Sequence, residues 1–187
     1  MSGPNITIGR KSGSAGFAKR MQSIQKLAAY VGVPADDKGR TNALIELAGK
    51  TSSKKKTKRI KSILLGTSRN VSNAELLFIN SKGSPIKGIP ARPVIEPAIA
   101  ADGNRQSIAH ELAEVAKATL QDKPDVAQKR LRRAALAGQN AARRWFTDSR
   151  NNWAPNKPAT IRRKGSDKPL IDTGVLRAAI VGITREE

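Results

Sequence analysis

From Phe17 onward, apolar residues recur at the three-to-four-residue period of a helix face: Phe17, Met21, Ile24, Leu27 and Ala28. Tyr30 to Val33 is a short apolar run ended by Pro34 and predicts a strand. Asp36-Asp37-Lys38-Gly39 reads as a turn, and Asn42 to Ala48 as a short helix closed by Gly49. Ala74 to Ile79 is too short for periodicity to choose between strand and helix. Residues 83–97 carry Gly83, Pro85, Gly88, Pro90, Pro93 and Pro97, which predicts a defined but irregular connection, because proline fixes φ and removes a donor.

Two long helical patterns come next. Asn104 to Gln121 presents Ile108, Leu112, Val115, Ala116, Thr119 and Leu120 on one face. Asp122 and Pro124 supply cap and first-turn chemistry for a second helix, from about Pro124 to Phe146. Its inner face reads Val126, Leu131, Ala134, Gly138, Ala141 and Trp145, small enough for close helix–helix approach. Its outer face carries Lys129, Arg130, Arg132, Arg133, Arg143 and Arg144. Near the C-terminus, Thr160 can cap a one-turn helix stopped by Gly165, and Asp172 or Thr173 can cap another at Gly174 to Ala179. Ala179 to Thr184 alternates as a closing strand. These elements predict an α+β fold, with a small sheet packed against two long helices. Ser/Gly-rich residues 1–16 read as an extended N-terminal arm, and residues 17–187 as a single domain with long irregular loops.

Charge changes this picture. The 187 residues hold 35 Lys+Arg against 15 Asp+Glu, a net charge of +20, which calls for an acidic partner: nucleic acid, a membrane surface or an acidic protein wall. Residues 1–70 carry 15 basic and three acidic side chains and hold most of the surplus. Its densest part, Lys50 to Lys61, contains Lys54, Lys55, Lys56, Lys58, Arg59 and Lys61, and self-repulsion predicts an extended or mobile segment. These six residues are candidate contacts to DNA or to an acidic partner. Arg130 to Arg133 offer a second phosphate grip. Aromatics are only 3%, thin for base stacking, and no standard nucleic-acid module is present. No apolar run reaches the roughly 20 residues that span a bilayer. The polar start, Met1 to Lys11, lacks the apolar core of a signal peptide and predicts a cytoplasmic origin.

Candidate chemistry is sparse. There is no cysteine and a single histidine, His110, which excludes thiolate and His-rich metal sites. Glu111 and Glu114 share a helix face, but nothing else converges on them. Leu170-Ile171-Asp172-Thr173-Gly174 has the Asp-Thr-Gly of an aspartic-protease loop, whose chemistry needs a second carboxylate. The residues after Gly174 read as a helix, so capping is the better reading of Asp172. No catalytic residue, cofactor, metal or small-molecule substrate is expected.

Two segments are more specific than composition. One is Ser72-Asn73-Ala74-Glu75-Leu76-Leu77-Phe78-Ile79, then Gly83-Ser84-Pro85, then Gly88-Ile89-Pro90-Ala91-Arg92-Pro93. The other runs from Trp153-Ala154-Pro155-Asn156 through Pro158 to Gly165, then Lys168-Pro169-Leu170-Ile171-Asp172-Thr173-Gly174-Val175-Leu176-Arg177. In order and spacing they resemble the head–tail joining, or tail-completion, proteins of tailed bacteriophages. The resemblance covers residues 70–182 well and 17–35 loosely. It leaves residues 50–66 as a basic insertion, and Asn80-Ser81-Lys82 stand where the family often has a His-Glu-Phe-like triplet. It implies a non-enzymatic virion protein of the neck or head-proximal tail, made in the host cytoplasm. Such a subunit forms a ring, commonly of six, that joins the tail tube to the head connector around the DNA path. Its partners would be further copies of itself, the adjacent connector or stopper and tail-tube or sheath proteins, and the packaged DNA. On that reading Ile89, Pro90, Arg92, Pro93, Trp153, Pro155, Leu170, Asp172 and Arg177 are candidate subunit-interface residues; Trp153 serves equally well as a plug for its own core. The alternative from a different class is a basic cytoplasmic nucleic-acid-binding protein.

Overall fold

The computed structural model describes residues 12–35, 39–66 and 71–186. Residues 1–11 of the arm expected at 1–16 and most of the turn expected at 36–39 lie outside them. The fold is α+β: among the described residues nine α-helices accompany one two-stranded antiparallel sheet.

Helix α1 spans Ser12–Gln25, so the last five residues of the expected arm are helical. Ala15 and Ala18 are good helix formers, and the helix lies along α6. The helical pattern does not extend to Leu27 and Ala28, which open strand β1 (Leu27–Gly32). Pairing with β2 (Val181–Glu186) wins there, with Leu27 opposite Glu186 and Gly32 opposite Val181.

Helix α2 (Gly39–Lys50) continues through Gly49 rather than stopping there. The largest correction is α3 (Lys54–Leu65): the basic stretch is a helix, not an extended segment. The Ser53 hydroxyl accepts from the Lys56 N–H at its start. Ile60 and Ile63 are buried against Leu44 of α2, while the lysines keep to the opposite, solvated side. Solvent screens the lysines from one another, and burial of the apolar stripe outweighs their repulsion. Leu65 points outward at 86% exposed.

Helix α4 (Asn73–Lys82) resolves the ambiguous run through a capping box. The Glu75 N–H donates to the Ser72 hydroxyl (3.1 Å), and the Ser72 N–H donates to the Glu75 carboxylate (2.8 Å). The loop after it is pinned by a two-way bridge between Ser84 and Ile89. Helix α5 (Ile95–Ala100) then leads into α6 (Asp102–Leu120) and α7 (Pro124–Trp145). The buried face of α6 is Val115 and Ala118; Leu112 and Leu120 lie at 43% and 36% exposed. On α7 every expected inner residue is buried except Val126, whose place is taken by Ala127. Asp122 makes no cap. It sits at φ 57°, Lys123 precedes the helix without a side-chain bond, and Pro124 opens it.

The sheet rests on α7. A Cβ on Gly182 would stand 2.2 Å from the Ala135 carbonyl oxygen, so β2 lies directly on the helix backbone. The Gly182 N–H donates to the Gln139 side chain (2.9 Å), and Arg143 donates to the Ile180 and Ala178 carbonyls (2.9 and 2.7 Å). Around this contact Val94, Ala98, Ala142, Trp145, Phe146 and Ile180 form the main core. Two short helices complete the chain: α8 (Pro158–Lys164), ended at Gly165, and α9 (Val175–Ala178).

Candidate functional site

The two motif-bearing segments meet in space. Arg92 leaves the Ile-Pro-Ala-Arg-Pro loop and is buried between the segments at 7% exposed. Its Nε and Nη2 donate to the Ala154 carbonyl (3.2 and 2.8 Å), and Nη2 also donates to the Pro155 carbonyl (3.3 Å). A second tie runs from the Trp153 indole N–H to the Pro93 carbonyl (3.1 Å). Trp153 meets Phe146 edge-on at 5.9 Å and packs, half-buried, against the main core, which gives it a part in the core of its own chain.

Between these loops lies an open cleft of about 700 Å³, bordered by Ser84, Ile89, Pro90, Arg92, Pro155 and Lys157. Pro90, Pro93 and Pro155 are exposed, and Ile89 is half-buried. At the tip of the bridged loop Ile86 is 100% exposed, and on α4 Phe78 is 64% exposed. Leu170 is half-buried at φ 56°, and Arg177 half-buried on α9.

Asp172 is not a helix cap. Gly174 occupies the cap position of α9, and the Thr173 hydroxyl accepts only a long bond, 3.4 Å, from the Val175 N–H. The Asp172 carboxylate instead takes two bonds from Arg59 of α3, from Nε at 3.0 Å and Nη2 at 2.7 Å. The partner that aspartic-protease chemistry requires is a carboxylate; here it is a guanidinium. Among the described residues no cluster of His, Asp and Glu could hold a metal ion. His110 is exposed, and Arg130 bonds Glu111 (3.2 Å) and lies near Glu114 (3.8 Å).

The Arg59–Asp172 pair brings the basic insertion against the second motif segment. Lys55 of α3 lies over Gly165 at the end of α8, and α8 contributes Arg162, Arg163 and Lys164. Lys54, Lys55, Lys56, Lys58 and Lys61 are exposed, whereas Arg59 is turned into the ion pair. The run Arg162-Arg163-Lys164 is plain in the sequence, but its meeting with α3, about a hundred residues away, carries no local signal.

Three of these cations are pulled from their ordinary values. Burial lowers Arg92, and it lowers Arg40 against the opposing pull of Asp172. Burial likewise lowers Lys164, with Arg92 and Arg163 adding repulsion while Asp172 and Asp167 oppose the shift.

Comparison with known protein families, with curated proteins and with solved structures finds no match to this chain. No helix among the described residues is long and apolar enough to cross a membrane.

Proposed function

We propose that this chain is a structural subunit of the neck or head-proximal tail of a tailed bacteriophage, assembled with further copies of itself into a ring around the DNA path. The observation that carries this reading is the Arg92 clamp. The two segments that resemble the tail-completion family, some sixty residues apart, are fastened into one surface by a buried arginine bonded to backbone carbonyls. A ring subunit needs preformed loops of this kind, because a loop held rigid before docking loses little entropy on docking. Ile86 and Phe78 stand beside this surface as large apolar side chains that their own subunit leaves uncovered. Assembly into a closed ring covers such positions on every copy. The reading assigns no catalysis and no cofactor.

Mass in solution tests it. Multi-angle light scattering of the purified chain, free of DNA, is expected to give a discrete multiple of the 20.1 kDa chain mass. Ile86→Asp is expected to return the complex to monomer while far-UV dichroism stays unchanged. A chain that remains monomeric at every concentration, yet binds duplex DNA with affinity falling steeply as salt rises, overturns the ring reading.

That outcome would establish the second reading, a nucleic-acid-binding protein, which one observation favours: Lys55 of lysine-rich α3 reaches Gly165 at the end of α8, which carries Arg162, Arg163 and Lys164. In a ring the same basic residues serve to meet DNA or an acidic neighbour.

A further inference from the structure

Behind the Arg59–Asp172 pair lies a second, more polar cavity of about 270 Å³. Its lining includes Arg92, Arg163, Lys164, Arg40, Thr160 and Asp172. Arg92, Arg163 and Lys164 bring positive charge to this wall and Asp172 brings negative charge. The single carboxylate is already engaged, because Asp172 Oδ2 takes both bonds from Arg59, which stands outside the lining.

The hydrogen-bond acceptors of Arg92 and Lys164 are neutral. Arg92 bonds the Ala154 and Pro155 carbonyls. Lys164 Nζ donates to the Lys168 carbonyl at 2.6 Å. Backbone carbonyls fix the direction of these groups and bring no formal charge; carboxylates offset only Lys164, through Asp172 and Asp167. Placing like charges in a half-buried recess costs free energy unless an anion enters it. Thr160, Arg163 and Lys164 are spaced three and four residues apart on α8, so a hydroxyl and two cations share one helix face.

We infer that this cavity, walled by Arg92, Arg163, Lys164 and Thr160, is a binding site for a phosphate group, either the free ion or the phosphate of an ester such as a nucleic-acid backbone. A planar carboxylate brings one charge and two acceptor atoms. A phosphate brings up to two charges and a tetrahedral set of oxygens, which suits donors converging from a loop and a helix. The inference concerns one folded chain and holds whether or not the chain assembles.

The test is isothermal titration calorimetry of the full chain with inorganic phosphate at constant ionic strength, with acetate as the carboxylate control. Saturable binding at one site per chain is expected, with acetate much weaker. Arg163→Gln, at an exposed position on α8, is expected to weaken phosphate about tenfold or more, the loss of one charge-assisted bond. Arg162→Gln removes the same charge from the neighbouring residue, which does not line the cavity, and is expected to leave the affinity within about twofold. A short DNA duplex distinguishes the two sources. If the phosphate belongs to nucleic acid, free phosphate competes with duplex and Arg163→Gln weakens both; if it is the free ion, duplex binding does not respond to Arg163→Gln. Heats that never saturate, acetate binding as tight as phosphate, or equal losses in Arg162→Gln and Arg163→Gln overturn the inference.

Discussion

The half of the molecule built on α7 and the half built on α2 and α3 are held together by different means. Along α7, Ala127, Ala134, Ala135, Gly138, Ala141 and Ala142 are all buried. Side chains this small bring backbones into contact, so the fit of the sheet and the helix is set by main-chain shape. The α2–α3 half has a core of four buried residues, Leu44, Ile60, Ile63 and Val175, the last supplied by α9. Polar ties, among them Arg59 to Asp172 and Arg40 to the Val71 carbonyl, fasten it to the rest. A region with few buried apolar contacts opens at lower free energy than the global core. The half that carries the densest run of exposed lysines is thus also the half that can move without unfolding the rest.

The largest effect that would break this contrast is on the α7 side. Gly182→Val places atoms against the Ala135 backbone, which cannot rotate away, so β2 must lift from the helix. The expected cost is about 3 kcal/mol or more, a fall in Tm of roughly 6 to 12 °C. Gly138→Ala meets side chains rather than backbone, the Val31 Cγ2 methyl at 2.6 Å and the Ile108 Cδ1 methyl at 3.8 Å, and a helical alanine gains about 1 kcal/mol over glycine. Its net effect should stay within about 1 kcal/mol. Calorimetric melting of both variants checks the pair, and equal losses would show that side-chain crowding, not backbone contact, governs this half.

A smaller effect would sharpen the contrast from the other side. The Arg59–Asp172 pair is largely covered, with side chains 22% and 28% exposed, so Arg59→Gln should cost about 1 to 2 kcal/mol. The loss should be local. In native-state hydrogen exchange, amides of α2 and α3 are expected to exchange about tenfold faster or more, while those of α6 and α7 keep their protection. A uniform change across all four helices would mean that the two halves open as one unit.

Much of the fold was legible wherever a long period or a cap wrote it locally. The pattern from Pro124 to Phe146 gave α7 and nearly all of its buried face, and the alternation near the C-terminus gave β2. At α4 the apolar run alone is too short to decide, whereas the Ser72 and Glu75 spacing of a capping box is a local helix signal that periodicity passes over. The basic stretch misled for a physical reason. Charge density describes an isolated segment, whereas Ile60 and Ile63 find their burial against Leu44, which lies elsewhere in the chain. The candidate site divides in the same way. Its loops were readable from Pro and Gly positions, but the clamp by Arg92, the pairing of Asp172 with Arg59 and the cation-walled cavity join residues 60 to more than 100 positions apart. No local pattern encodes such contacts.

The smallest predicted effect concerns the turn after α7, and it tests whether the firm half has an electrostatic weak point. The Asp148 carboxylate accepts from Arg150 Nε at 2.9 Å, Nη2 at 2.6 Å and the backbone N–H at 3.0 Å. Arg150 in turn lies over the Trp145 ring at 5.6 Å. These side-chain and backbone hydrogen bonds, with the charges of Arg150 and Arg144, lower the Asp148 pKa from 3.8 to about 2. A carboxylate depressed in the folded state binds its proton more readily when the chain unfolds. Its stabilisation is therefore complete above pH 3.8 and is lost as pH falls from there through about 2. Because the Arg150 side chain is 57% exposed, solvent screens the pair and the contribution should be well below the full linkage value, about 1 kcal/mol or less. In acid titrations followed by tryptophan fluorescence, Asp148→Asn should remove this share of the pH dependence below about pH 4 and leave the curve above it parallel to the parent's. A parallel displacement at every pH would mean that Asp148 acts through the shape of the turn rather than through its charge.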